Sequence, residues 1–169
     1  MVTGPPGAGK SAIADRLVQL LHPSALVSGD DFFGFLRNGA VAPWLDEAHA
    51  QNTAVVQAAA AATGRLSRHC HVVYDGVVGP WFLPDFLLAA SLTHVHYAMV
   101  LPPLEVCLER VRTRQEHGFT DSRAAEHMWW EMRRADLAPR HLISDQGQSP
   151  TEIALRIAHL VEDGAIRHP

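Results

Sequence analysis

An α/β sandwich, a parallel sheet with helices packed on both faces, is the fold this sequence predicts. Three observations predict it. Short apolar or β-branched runs alternate with helical patterns along the chain. Those runs are apolar on successive residues, as strands buried on both faces require. The third observation is Gly4-Pro5-Pro6-Gly7-Ala8-Gly9-Lys10-Ser11, which has the spacing G-x-x-x-x-G-K-[ST] of a phosphate-binding loop.

The elements follow in order. Only Met1-Val2-Thr3 precede Gly4, so the strand that feeds the loop is either very short or begins upstream of Met1. Apolar residues at helical spacing from Ser11 to Leu21 predict the first helix. Ala25 to Ser28 reads as a second strand, and Phe32 to Arg37 as a short helix capped by Asp30 or Asp31. Asp46 to Thr63 is helical in pattern, with Gly64 as its expected end. Cys70 to Tyr74 is β-branched and apolar and stops at Asp75-Gly76, which makes a third strand. Pro84 to Ala90 predicts a short helix, His94 to Leu101 a fourth strand, and Pro103 to Gln115 a helix opened by proline. Thr120 or Asp121 can cap a helix that runs to Ala138. His141 to Ser144 is the fifth strand, and Ser149-Pro150-Thr151-Glu152 is a capping box that opens the last helix.

Composition narrows the function. The 169 residues suit one domain spanning the whole chain. A net charge of -4 argues against a general nucleic-acid binder. The two cysteines, Cys70 and Cys107, imply no disulfide framework. Neither a signal peptide nor an apolar run of membrane-spanning length stands out, so a cytoplasmic location and no membrane partner are expected.

The chemistry concentrates at the carboxyl ends of the strands, where ligands of open α/β sheets bind. In the loop, Gly4, Pro5, Pro6, Gly7, Ala8 and Gly9 turn backbone N–H groups toward an anion, and the helix start at Ser11 and Ala12 adds its dipole. Lys10 reaches the β- and γ-phosphates, while the Ser11 hydroxyl suits Mg²⁺. Asp75, at the end of an apolar strand, is a second candidate for Mg²⁺. Asp30 is the candidate base that accepts a proton from an acceptor hydroxyl. Arg110 and Arg114 lie four apart on one helix face, and the pattern then breaks as a lid of about 115–125 would. Lid arginines stabilise the charge of a phosphoryl group in transfer. Arg112, Arg123, Arg133, Arg134 and Arg140 are further basic residues of the same stretch. The pairs His69/His71 and His94/His96 have chelating spacing, but they lie at strand beginnings, away from this edge. Phe32, Phe33, Phe35, Trp44, Trp81, Phe82, Trp129 and Trp130 flank the expected cleft; most suit a core, and a few suit a pocket for a ring-shaped ligand.

On these residues the chain resembles the P-loop small-molecule kinases: gluconate and shikimate kinases, chloramphenicol phosphotransferase and the zeta-toxin group. "GPPGAGKS" matches their nucleotide loop, "SGDDFF" the aspartate after the second strand, "LERVRTR" the helix-to-lid arginine pair, and "HLISDQGQSP" the loop at the adenine base. The resemblance implies a P-loop NTPase three-layer sandwich with a five-stranded parallel sheet in the order 2-3-1-4-5 and a small lid. It assigns Asp30 as base, Arg110 near adenine and Arg114 near the phosphates. The implied activity is ATP- and Mg²⁺-dependent transfer of the γ-phosphate to a hydroxyl of a metabolite or antibiotic. A nucleotide-dependent regulatory switch and a zeta-toxin-like nucleotide-sugar kinase are the alternatives. "YDGVVGPW" lacks the arginine of a D-G-F-P-R stretch, which disfavours a nucleoside monophosphate acceptor. No N-K-x-D or L-S-G-G-Q occurs, and the chain is short for an AAA+ motor.

Overall fold

A computed structural model describes residues 1–113, 121–144 and 147–169. Its strands are β1 (Val2–Thr3), β2 (Ser24–Ser28), β3 (His71–Asp75), β4 (Val95–His96), β5 (Ala98–Val100), β6 (Leu142–Ile143) and β7 (Arg167–His168). The helices are α1 (Lys10–Gln19), α2 (Gly29–Gly34), α3 (His49–Leu66), α4 (Leu83–Ala90), α5 (Leu104–Thr113), α6 (Ser122–Arg134) and α7 (Pro150–Glu162). Five strands form one sheet in the order β2-β3-β1-β5-β6, every pair parallel. This is the expected order 2-3-1-4-5, because β5 is the main part of the fourth predicted strand.

Alternation within the strands builds the three layers. Val73, Ala98 and Val100 face Ile13, Leu17, Ile153 and Ile157 of α1 and α7. Tyr74, Tyr97 and Met99 face the other way, against Val56, Ala59, Phe86 and Met132 of α3, α4 and α6. Both faces of the sheet are thus covered, which is why its strands read as continuous apolar runs. With β1 at its centre, paired to β3 and β5, the sheet delivers the phosphate loop and the end of β3 to the same edge.

Four expectations change. The predicted strand His94–Leu101 is divided. Val95 and His96 pair antiparallel with β7, while the Tyr97 hydroxyl donates to the Val78 carbonyl at 2.8 Å and the strand resumes in the main sheet at Ala98. Strand β7 has no counterpart in the sequence reading. Helix α3 runs through Gly64 to Leu66, since Gly64 is buried where α3 crosses α4 and a methyl there would overlap the Ala90 carbonyl oxygen. Helix α2 starts at Gly29, and its N-cap is Ser28: the Ser28 hydroxyl accepts from the Asp31 N–H at 3.4 Å, so neither aspartate is the cap. Helix α6 does begin at Asp121, whose carboxylate accepts from the N–H groups of Arg123 and Ala124 at 2.9 and 3.1 Å. Helix α6 ends at Arg134, where Ala135 turns to an extended conformation. The capping box at Ser149 and Glu152 forms with both of its hydrogen bonds. Of the lid expected at about 115–125, residues 115–120 lie outside the described residues, and 121–125 form the cap and first turn of α6.

Candidate active site

The phosphate loop is shaped by two of its glycines and by α5. Gly7 and Gly9 have φ of 79° and 87°, conformations that side chains disfavour. A methyl on Gly7 would also overlap the Cys107 carbonyl, so the backbone of α5 lies directly on the loop. Arg110, one turn further along α5, donates to the Gly7 and Ala8 carbonyls at 3.4 and 3.5 Å. Among the described residues no side chain caps α1, whose N-cap is Gly9. The N–H groups of Lys10, Ser11 and Ala12 therefore point out of the helix start, the arrangement that binds a phosphate. Lys10 Nζ donates to the Pro5 carbonyl at 3.2 Å, folding back across the loop it belongs to. Arg110 thus lies on the backbone of the loop, and Pro6, Lys10 and Ser11 of the loop and helix start line the cleft beside it.

Asp75 stands beside it. Its side chain is buried with the Ser11 hydroxyl and the Lys10 ammonium nearby, and one carboxylate oxygen has no partner among the described residues. Burial raises its pKa most; Ser11 and Lys10 pull it back, and the nearby charges of Asp30 and Asp15 raise it again. An orphaned buried carboxylate oxygen next to a hydroxyl is the donor chemistry of a hard divalent cation such as Mg²⁺. Ser11 and Asp75 fit that ion, with the remaining ligands coming from phosphates and water, as Mg²⁺ prefers. Burial together with Asp30 and Asp75 also keeps the Tyr74 phenol strongly in its protonated form.

Asp30 opens onto a cleft of about 750 Å³ that begins at Pro6, Lys10 and Ser11 and runs between α2, α3 and α6. Asp30 lines the cleft and Asp31 does not. Of the aromatic residues, Phe33, Trp44, Trp81 and Phe82 line it. Trp129 instead donates from its indole to the Pro102 carbonyl at 2.8 Å, and Trp130 carries Arg134 at 5.1 Å from its ring. Arg112 pairs with Glu109 at 3.2 Å. Arg114 lies outside the described residues, as do Asp145 and Gln146 of the expected adenine loop. Among the described residues no group of three or more His, Cys, Asp or Glu converges to hold a metal.

Sequence reasoning missed how the cleft wall is held. Gln51 of α3 makes two hydrogen bonds to the backbone of Val41, at 2.8 and 2.7 Å, and Asn52 donates to the Pro43 carbonyl at 2.6 Å. Two adjacent amides at the start of a helix were a visible signal. Their partners, ten and nine residues upstream, were not.

A family model described as an AAA domain matches residues 1–136. Among solved structures, the chain is similar to the Deinococcus radiodurans tunicamycin resistance protein, with a TM-score of 0.68 and 21% identity over 95% of this chain and 92% of that one. It is also similar to a sugar kinase from a Janibacter species, with a TM-score of 0.71 and 16% identity over the same shares of the two chains. No curated protein matches the sequence.

Proposed function

The chain belongs to the AAA domain family and has the fold of P-loop kinases, and from that premise we propose that it transfers the γ-phosphate of ATP to a hydroxyl group of a small molecule. The observation that carries the reading is the meeting of three features at one edge. These are a phosphate loop ending at Lys10 and Ser11, the carboxylate of Asp30, and a cleft large enough for a second substrate. Family membership speaks for the nucleotide site, and the cleft speaks for an acceptor. The neighbour described as a sugar kinase supports a hydroxyl as the accepting group.

In the reaction the acceptor oxygen bonds to the γ-phosphorus while the bond from that phosphorus to the β–γ bridging oxygen breaks and ADP leaves. Ser11 and Asp75 would hold Mg²⁺, which when bound would supply charge neutralisation at the phosphates. Lys10 and the N–H groups of the loop hold the β- and γ-phosphates in line. Asp30 takes the proton of the acceptor hydroxyl. Its position on the cleft, with Ser28 serving as the helix cap, leaves it available for that role. On the resemblance alone, Arg110 is assigned to the adenine side of the nucleotide and Arg114 to the phosphates.

Two variants test the reading. Lys10→Met removes the cation at the phosphates, and calorimetry with a non-hydrolysable ATP analogue and Mg²⁺ should show affinity reduced by about tenfold or more. Asp30→Asn keeps the shape and loses the base, so acceptor phosphorylation should fall by roughly 10²–10⁴ while analogue affinity holds. Asp31→Asn should do far less. Unchanged analogue affinity in a folded Lys10→Met variant overturns the nucleotide assignment. Full phosphorylation by Asp30→Asn overturns Asp30 as the base while leaving the kinase reading in place.

A further inference from the structure

The cleft beyond Asp30 carries information about the acceptor that the phosphate loop does not. Its walls are aromatic where they are open to solvent: Trp44 is 38% and Trp81 48% exposed, and both line the cleft together with Phe33 and Phe82. Exposed indoles gathered in a concavity mark a binding surface, because covering them removes apolar area from water. Its charge is one-sided. Asp30, Asp46 and Glu131 line it, and among the described lining residues Lys10, at the phosphate loop, is the only lysine or arginine. An acceptor bearing a phosphate or carboxylate would meet Asp30, Asp46 and Glu131 there, with the imidazoles of His49 and His127 beside them and no arginine among the described lining residues to form a bidentate pair.

The wall is also built in advance. Val78 is locked to the central strand: its N–H donates to the Thr3 hydroxyl at 2.9 Å, and its carbonyl accepts from Thr3 at 3.0 Å and from Tyr97 at 2.8 Å. Next comes Gly79, where a methyl would overlap the Trp81 ring, so the indole lies flat on the glycine backbone. Opposite in sequence, Gln51 and Asn52 fix the Val41–Pro43 backbone that leads to Trp44. A ring-binding surface fixed before the ligand arrives saves the entropy of ordering it.

We propose that the acceptor is a non-anionic hydroxyl compound with an apolar ring, and that Trp81, seated on Gly79, is the residue that reads the ring. The inference rests on the kinase reading for the word acceptor. The cleft itself is tested apart from that reading.

The test is a library of hydroxyl compounds in three equal classes: ring-bearing and non-anionic, ring-free and non-anionic, and ring-bearing with a phosphate or carboxylate. Saturation-transfer NMR reads binding with the ATP analogue and Mg²⁺ present. The first class should supply hits at about fivefold or more the rate of either other class. For those hits, Trp81→Ala should weaken binding about tenfold, with Trp81→Phe recovering part of the loss. Gly79→Ala should fold, because the indole can tilt to admit a methyl, and should still weaken the same hits. Its affinity for the ATP analogue, measured alongside, separates a displaced ring from a damaged fold. Equal hit rates, a majority of anionic hits, no hits, or Trp81→Ala binding like the parent each overturn the proposal. If the analogue binds in a Lys10-dependent manner while the library favours anions, the kinase reading stands and only the acceptor class falls. If the library behaves as expected and the analogue does not bind, the kinase reading is what fails.

Discussion

Asp75 carries a carboxylate that its surroundings make costly to ionise. Burial raises its pKa, and an acid whose pKa is raised in the folded state holds its proton more tightly there than in the unfolded chain. The stability it contributes is therefore full below the ordinary carboxylate value and lost as pH rises through the raised one. Its ionised form, with one oxygen unpartnered among the described residues, weighs against the fold until a cation meets it. Asp75→Asn should accordingly raise the melting temperature of the nucleotide-free, Mg²⁺-free protein at pH 7, by roughly 2–5 °C. The same variant should lose the extra stabilisation that Mg²⁺ adds to a bound ATP analogue. A thermal scan in four conditions reads both effects, and a lower melting temperature in the metal-free state would sink the idea. At this scale the sequence was informative where chemistry is local. An apolar strand ending in Asp-Gly, and a glycine-rich loop ending in Lys-Ser, each announce a position at a strand end. What it left open was which side chain caps α2. Ser28, Asp30 and Asp31 are all competent caps; in the folded chain the extended Ser28 takes that role, and Asp30 is left on the cleft.

Elements were legible in kind and less so in extent, and Gly64 shows why. Local preference places a glycine at a helix end, yet α3 continues past it, because the residue is needed where α3 and α4 touch. The two influences predict opposite signs for one substitution. Helix propensity alone makes Gly64→Ala stabilising by about 1 kcal/mol. Contact with the backbone of Ala90, which has no flexible side chain to move aside, makes it destabilising by typically about 1–3 kcal/mol. The contact should win, and urea unfolding of Gly64→Ala should show a lower midpoint at an unchanged slope. A raised midpoint would mean that α3 and α4 separate easily and that the crossing is loose. The divided fourth strand has the same origin. Tyr97 sits within a run that reads as continuous, and the ring it buries and the carbonyl its hydroxyl reaches are set by residues distant in sequence.

Across the molecule, titratable groups are placed at both ends of the sheet with opposite consequences. The site edge holds Asp75. Near the other edge, where β4 meets β7, His96 is half-buried with one ring nitrogen unpartnered among the described residues, and His141 is buried with Nδ1 donating to the Tyr97 carbonyl at 3.0 Å. Burial lowers both imidazole pKa values. The amino terminus, His94 and Arg167 lower that of His96 further; for His141 the Tyr97 hydrogen bond pulls back upward, and Arg140 and His168 add smaller downward contributions. A histidine with a depressed pKa is kept neutral by the fold, so the unfolded chain takes up protons first. The stability it contributes is full above the ordinary imidazole value near 6.5 and is lost as pH falls through the depressed value. Asp75 works in the reverse sense, since its liability eases as pH falls. The histidine effect is therefore cleanest in the Asp75→Asn background, where the carboxyl no longer titrates. In that background the urea midpoint should already decline from pH 8, because burial pushes the amino terminus of Met1 down to about 5 while the unfolded chain takes up that proton. It should fall more steeply from pH 6.5 to 5.5 as the histidines add to it. Adding His141→Asn, which keeps a donor for the Tyr97 carbonyl but cannot take up a proton, should flatten that steeper part. A slope that is the same with and without His141 would place the pH sensitivity elsewhere, with His96 and the β4–β7 pair next to be tested.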